Sequence, residues 1–356
     1  TDAAFSITPT AAAVRVTARV QYPNRTWHTV SVRDEATGAT STNQLVTARG
    51  RVVWETPASP GAYFGRITAE TVPDRSNAPV YRAEETFLVE VVTPYTDTDG
   101  DRFIVLYNRA PFSLTEPRKV IVTHGSDSDT LNVRVFRAPD SDGAVALDTI
   151  VSDHGFRAIT LRGSVNVISL GGPLGRLAIH GGVLGSLDVS RGGIGSVRID
   201  TKWLGDWEDF LEVGVRHGIR AQGGIGTIHV TGGDIGMDGE PAAIESRTGS
   251  IGSIVARMAR RVIGVGEDAY ASTMGGNVCA TVEAPKGSIG SIHAIGGSIG
   301  LPQYDVPCVI AAHGAIRNVI AVAKEGDYEA LGGYIFSDII AGGAVGVVKA
   351  VGGDIS

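Results

Sequence analysis

One phrase returns along most of the second half of this chain: Gly-Gly, then Leu or Ile, Gly, a small residue, and Leu, Ile or Val. It reads GGPLGRLAI at 171–179, GGVLGSLDV at 181–189, GGIGSVRI at 192–199 and GGIGTIHV at 223–230. It continues as GSIGSIVA (249–256), GSIGSIHA (287–294), GAIRNVIA (314–321) and GGAVGVVKA (342–350), with shorter forms GGDIG (232–236), GGSIG (296–300) and GGDIS (352–356). Early copies sit about ten residues apart, at Gly172, Gly182 and Gly193. A longer period of 27 and then 29 residues separates Ile289, Ile316 and Val345. A unit this short cannot bury its own apolar side. It gains a core only by stacking on copies of itself, which is the logic of a solenoid. Glycine supplies the corners, because it reaches backbone angles closed to other residues.

The two periods together predict a three-faced parallel β-solenoid over residues 141–356, of about seven coils with roughly ten residues per face. Ile, Leu and Val point inward. The outward position varies through Asp188, Arg198, His229, His293 and Lys349, as a solvated face does. Breaks in the period at 200–222, 237–247, 257–285, 301–312 and 323–331 are read as loops inserted at corners.

Residues 1–92 follow another rule. AAVRVTARVQY, WHTVSVRDE, RVVWE, YFGRITAE and ETFLVEVV alternate apolar and polar residues, and turn residues separate them. That pattern predicts an antiparallel, immunoglobulin-like β-sandwich with Trp54 and Tyr63 in its core. The Cys…Trp…Cys spacing of true immunoglobulin domains is missing. Residues 93–140 read as a β-rich connection or irregular first coils.

Composition narrows the function classes. Glycine, at 48 of 356 residues, is about twice its usual share of ~7%. With 43% hydrophobic residues the chain is nevertheless no disordered linker. A net charge of −7 argues against nucleic acid or an anionic membrane as partner for the chain as a whole. No apolar run reaches the ~18 residues of a membrane span. The opening TDAAFSITPT has neither basic start nor apolar core and is taken as a mature chain after export.

Candidate sites are few. YTDTDGDRF (95–103) places Asp97, Asp99 and Asp101 at alternate positions around a glycine, an arrangement that a hard cation such as Ca²⁺ neutralises, with a solvated turn as the alternative. The stretch resembles the calcium loops of thrombospondin type 3 and dockerin-like modules. It departs from them at Arg102 and at Asn108, where those loops carry a glutamate. Asp127 and Asp129 in SDSD (126–129) form a weaker candidate. Gly296–Gly300 spells G-x-S-x-G around Ser298, but as a repeat unit with no helix after it. Asp188, Asp200, Asp234, Asp305 and Asp338 form no compact sugar-cleaving motif. KWLGDWEDFLEV (202–213) has helical spacing and offers Trp203 and Trp207 to a sugar, to a partner or to the solenoid flank. Cys279 and Cys308, one coil apart, are placed for a disulfide between rungs or for two buried thiols. The histidines form no metal-binding pattern.

The arrangement as a whole resembles secreted surface proteins of planctomycete-type bacteria, which join immunoglobulin-like domains, DxDGD segments and Gly-Ser-Ile-Gly β-helix repeats. The resemblance implies export and a surface or matrix role, and it transfers no catalytic residue. The leading functional expectation is a non-enzymatic extracellular structural protein. It would assemble with itself, head to tail, into a filament or surface layer. The C-terminal rung (Val345, Val347, Val348, Val351, Ile355) and the N-terminal strand (Phe5, Ile7) would carry that contact. The alternatives are a carbohydrate-binding or polysaccharide-degrading β-helix, acting on a cell-surface polysaccharide, and an adhesin. No cofactor beyond Ca²⁺ is expected.

Overall fold

A computed structural model describes the strands of residues 4–91 as backbone. With side chains it describes 95–97, 100–108, 112, 114, 116, 118–137, 143–201, 214–236, 241–259, 275–300, 308–323 and 333–355, and strands 110–112, 213–221, 259–263 and 270–274 are traced through their backbone. Two compact units divide the chain, 1–96 with 110–113 and 97–109 with 114–356.

The first unit is antiparallel. Ala4–Pro9, Ala13–Arg19 and Arg51–Pro57 form a three-stranded sheet in that order. Thr40–Thr47, Thr26–Asp34, Gly61–Thr71 and Arg82–Val91 form a four-stranded sheet. Period-two alternation foretells these strands, because each side chain points opposite to the one before. Packing of the two sheets, and the core role of Trp54 and Tyr63, involve side chains outside the described residues.

The second unit is a parallel solenoid built on two long ladders. The front sheet stacks Thr130–Phe136, residues 156–162, Leu174–His180, Ile194–Asp200, Ile225–Thr231, Ile251–Arg257, Ile289–Ile295, Ile316–Val322 and Val345–Val351. The back sheet stacks Lys119–Val122, Val145–Ser152, residues 163–170, Leu184–Val189, Val213–Ala221, Ala242–Ser246, Ala280–Ala284, Cys308–Ala312 and Ser337–Ala341. At its head, Arg102–Tyr107 pairs antiparallel with Thr130–Phe136. One strand, Phe156–Leu170, serves both sheets. It turns at Gly163, whose φ of +126° no side chain tolerates well and whose Cβ would strike the Val145 backbone.

The repeated phrase has a direct mechanical reading. In Ile251-Gly-Ser-Ile254 both isoleucines are buried, although they are three residues apart. Strict alternation would send one of them outward. The glycine absorbs the extra residue: the ladder pairs Ile251 with Ile289 and Ser253 with Ser291 and skips Gly252. Skipped glycines stack on one another, and a Cβ on Gly252 would run into the carbonyl oxygen of Gly226. Above and below, inward side chains form columns such as Ile159, Leu177, Val197, Ile228, Ile254, Ile292 and Val319, all fully buried.

The three-faced expectation needs correction for the early coils. Ile159 to Leu177 is 18 residues and Leu177 to Val197 is 20, so these coils have two faces. The ten-residue spacing is the alternation between front and back sheets. A third column begins later, as single parallel bridges through Ile235, Val278, Ile299, Ile335 and Ile355. Coils there lengthen to 27 and 29 residues, from Ile292 to Val319 to Val348. The expected insertions also shrink. Val213–Ala221, Ala242–Ser246, Ala280–Ala284 and Cys308–Ala312 fall inside them, yet each is a rung of the back sheet.

Candidate functional site: the outer face of the front sheet

Five consecutive front-sheet strands, FRAITLR, LGRLAIH, IGSVRID, IGTIHVT and IGSIVAR, carry Arg157, Arg162, Arg176, Arg198 and Arg257 exposed on the outer side. Asp200 is the single carboxylate on these strands. Register fixes the arrangement. One column runs Arg162, His180, Asp200, Thr231, Arg257, and the next runs Thr160, Ala178, Arg198, His229, Val255. A third runs Ala158, Arg176, Ser196, Thr227, Ser253.

Asp200 lies 3.4 Å from Arg198 Nε and 3.6 Å from His180 Nδ1. Arg157, Arg162, Arg176 and Arg257 form no ion pair among the described residues. His229 feels this surplus: burial, then the charges of Arg257 and Arg198, lower its pKa below the ordinary histidine value. The back sheet over the same coils mixes its signs, with Asp148, Asp188, Arg216, Arg220 and Glu245. There Arg220 and Arg247 lie 3.8 and 3.4 Å from Glu245. Charge is therefore segregated on a chain that is acidic in sum.

A second polar cluster closes the corner between the sheets at the head of the solenoid. The Tyr107 hydroxyl donates a short hydrogen bond to Asp129 Oδ2. The Ser126 amide donates to the same oxygen at 2.7 Å, and Asn108 Nδ2 donates to Oδ1 at 2.9 Å. These donors, Tyr107 foremost, hold the Asp129 carboxyl well below the usual carboxylate range. Burial and the neighbouring Asp129 push the Tyr107 phenol up to about 12. His154, 8% exposed, has Nδ1 2.9 Å from Asp153 Oδ1, to which it can only donate, and 2.9 Å from Ser152 Oγ. Its Nε2 lies 3.8 Å from Asp129 Oδ2, beyond hydrogen-bond reach. Asp127 Oδ1 takes the Gly155 amide at 2.7 Å. The SDSD carboxylates expected as cation ligands thus serve the chain's own donors. Gly125 is wedged between Tyr107, His154 and Asp129, which leaves no room for a side chain at that position.

Ser298, the G-x-S-x-G serine, belongs to a ladder at the third column. The Asn277 amide donates to Asp234 Oδ1 at 2.8 Å and the Ser298 amide to Asn277 Oδ1 at 2.8 Å. The Tyr334 amide donates to Ser298 Oγ at 3.3 Å. Each side chain accepts the amide of the following coil, which is a structural use. GGNV at 275–278 is the member that the sequence reading placed within an insertion. Its Gly-Gly-polar-aliphatic form was the available signal.

Cys279 and Cys308 are both buried, and a hydrogen bond joins their side chains. Cys308 Sγ donates to the Val278 carbonyl at 3.0 Å. Its pKa is lowered by its hydrogen bond with Cys279 against the opposing effect of burial. The Asp97 amide donates to the Asp101 carbonyl at 2.9 Å, and the Asp101 side chain is fully buried. Asp99 lies outside the described residues, as do Trp203, Trp207 and the side chains of Phe5 and Ile7. Among the described residues no group of three or more His, Cys, Asp or Glu is gathered for a metal ion. No described helix is long and apolar enough to cross a membrane.

No family model matches the chain, and no curated protein matches it. Two crystal structures of pectate lyase Pel3 from Pectobacterium carotovorum align over 98% of this chain and 93% of theirs, at 12% and 10% identity and a TM-score of 0.20 in both cases.

Proposed function

We propose that this chain is a non-enzymatic extracellular structural protein whose rungs continue from one copy into the next. The observation that carries the reading is the stacking itself: each front-sheet rung from Leu174–His180 to Val345–Val351 takes up the register and the apolar column of the rung before it. Val345 and Ile355, 45% and 55% exposed, pair with the buried Ile316 and Ile335, whereas Val347 and Val351, 50% and 39% exposed, pair with the half-buried Asn318 and Val322. Val348 is half-buried. A rung lined with aliphatic side chains stacks on another rung at the ~4.8 Å strand spacing, and a second copy carries rungs of the same kind. The complementary element in this reading is Ala4–Pro9, an outer strand of its sheet, joined by strand addition. A Ca²⁺ held by Asp97, Asp99 and Asp101 is part of the same proposal.

Electron microscopy of the full chain beside a version stopping at residue 341 tests it. Regular filaments or sheets from the full chain, absent from the shortened one, are expected. Dispersed single particles from both overturn the assembly reading.

A further inference from the structure

We propose that the outer face of the front sheet between residues 156 and 257 is a docking surface for a uronate polysaccharide, a linear chain with carboxylates on its sugars. Charge complementarity is the first argument. The face presents five arginines against one carboxylate, on a molecule whose net charge is −7. Four of those guanidiniums have no ion-pair partner among the described residues, so each has its donor fork available. A planar fork matches a carboxylate through two parallel hydrogen bonds.

Spacing is the second argument. Rungs repeat every ~4.8 Å, comparable to one sugar of an extended chain, and the arginines are spread along the rungs rather than clustered. Arg176, Arg198 and Arg257 follow one another at successive or alternate rungs. That density suits a polymer with isolated carboxylates better than one crowded with sulfates.

Surface chemistry is the third. Ser196, Thr227 and Ser253 follow Arg176 in one column and offer hydroxyls to sugar hydroxyls. The large exposed apolar side chains of the described residues lie elsewhere: Ile121, Val151, Val167, Tyr334 and the last coil. A protein partner would need such anchors, and single-stranded nucleic acid would need aromatic platforms.

The test measures binding of the full chain to alginate, with neutral dextran, heparin and duplex DNA as comparison ligands at one salt concentration. Arg176→Ser/Arg198→Ser/Arg257→Ser is compared with Arg220→Ser/Arg247→Ser/Lys286→Ser, which removes the same charge elsewhere. Alginate binding that weakens with salt is expected, with about tenfold or greater loss in the front-sheet triple. The control triple is expected to stay within about twofold. Should the first triple fail to fold, Arg176→Glu alone, at an exposed and unpaired side chain, is expected to weaken binding by about fivefold or more. Absence of alginate binding, equal loss in both triples, or no loss with Arg176→Glu overturns the proposal. So does tighter binding of dextran, heparin or DNA than of alginate.

Discussion

At the scale of single residues, the phrase Ile-Gly-Ser-Ile is a device for keeping two isoleucines on one side of a strand. Glycine is required there by close approach between coils rather than by an unusual φ. Gly252→Ala places a methyl group against the Gly226 carbonyl and forces the rungs apart. We expect a loss of about 1–3 kcal/mol, read as a fall in thermal midpoint, whereas Ser253→Ala one position on stays within about 0.5 kcal/mol. The corner at Asp129 makes a different statement. Its folded pKa lies below the unfolded value of about 3.9, so its stabilisation is present above that value and fades as pH falls below it. Tyr107 has the opposite sense: raised to about 12, it stabilises below its unfolded value of about 10 and loses that contribution as pH rises toward 12. Tyr107→Phe should remove the alkaline loss and flatten part of the acid loss in melting curves measured against pH. Unchanged curves at both ends would show that the corner bond contributes nothing.

At the scale of elements, what the sequence makes legible is what glycine and large aliphatics mark. The front-sheet strands from Leu174–His180 onward, and members of the third column such as GGDIG and GGSIG, carry the phrase and are readable by eye. Back-sheet rungs such as AAIES, ATVEA and CVIAA are not, because small alternating residues without a glycine signature look like loop. Face number was also hidden: ten residues per unit fits two faces of a short coil as well as three of a long one. The arginine face was out of reach for another reason. Arg176, Arg198 and Arg257 are dozens of residues apart and converge only through register. Register also exposes a volume exchange. The inward column Leu161, Ile179, Ile199, Val230 shrinks to Ala256, Ala294 and Ala321 once the third column contributes Ile235, Val278, Ile299 and Ile335. A close-packed interior leaves no room for both to be large. Ala294→Leu is expected to cost about 1–3 kcal/mol by overpacking. Ile179→Ala, in the two-faced coils, costs about 2–5 kcal/mol by leaving a cavity. A neutral Ala294→Leu in a denaturant melt would contradict the exchange.

At the scale of the molecule, the two proposals use different surfaces. A flat basic face runs along the rungs, and an aliphatic rung lies across them. The first suits a polymer lying parallel to the solenoid axis, and the second suits another solenoid along that axis. The polar clusters of the corner and the third column hold coil to coil. The most direct test of the assembly claim is sedimentation velocity of the full chain across a concentration series, beside Val345→Asp/Val347→Asp. Both side chains are exposed; Val347 lies on the outer side, and Val345 stacks on the buried Ile316, so thermal melting of the variant is measured alongside to confirm that it is folded. The account predicts mass that grows with concentration in the parent chain and a single, concentration-independent species in the variant. A parent chain that sediments as one monomer at every concentration, or a variant that associates as the parent does, contradicts it.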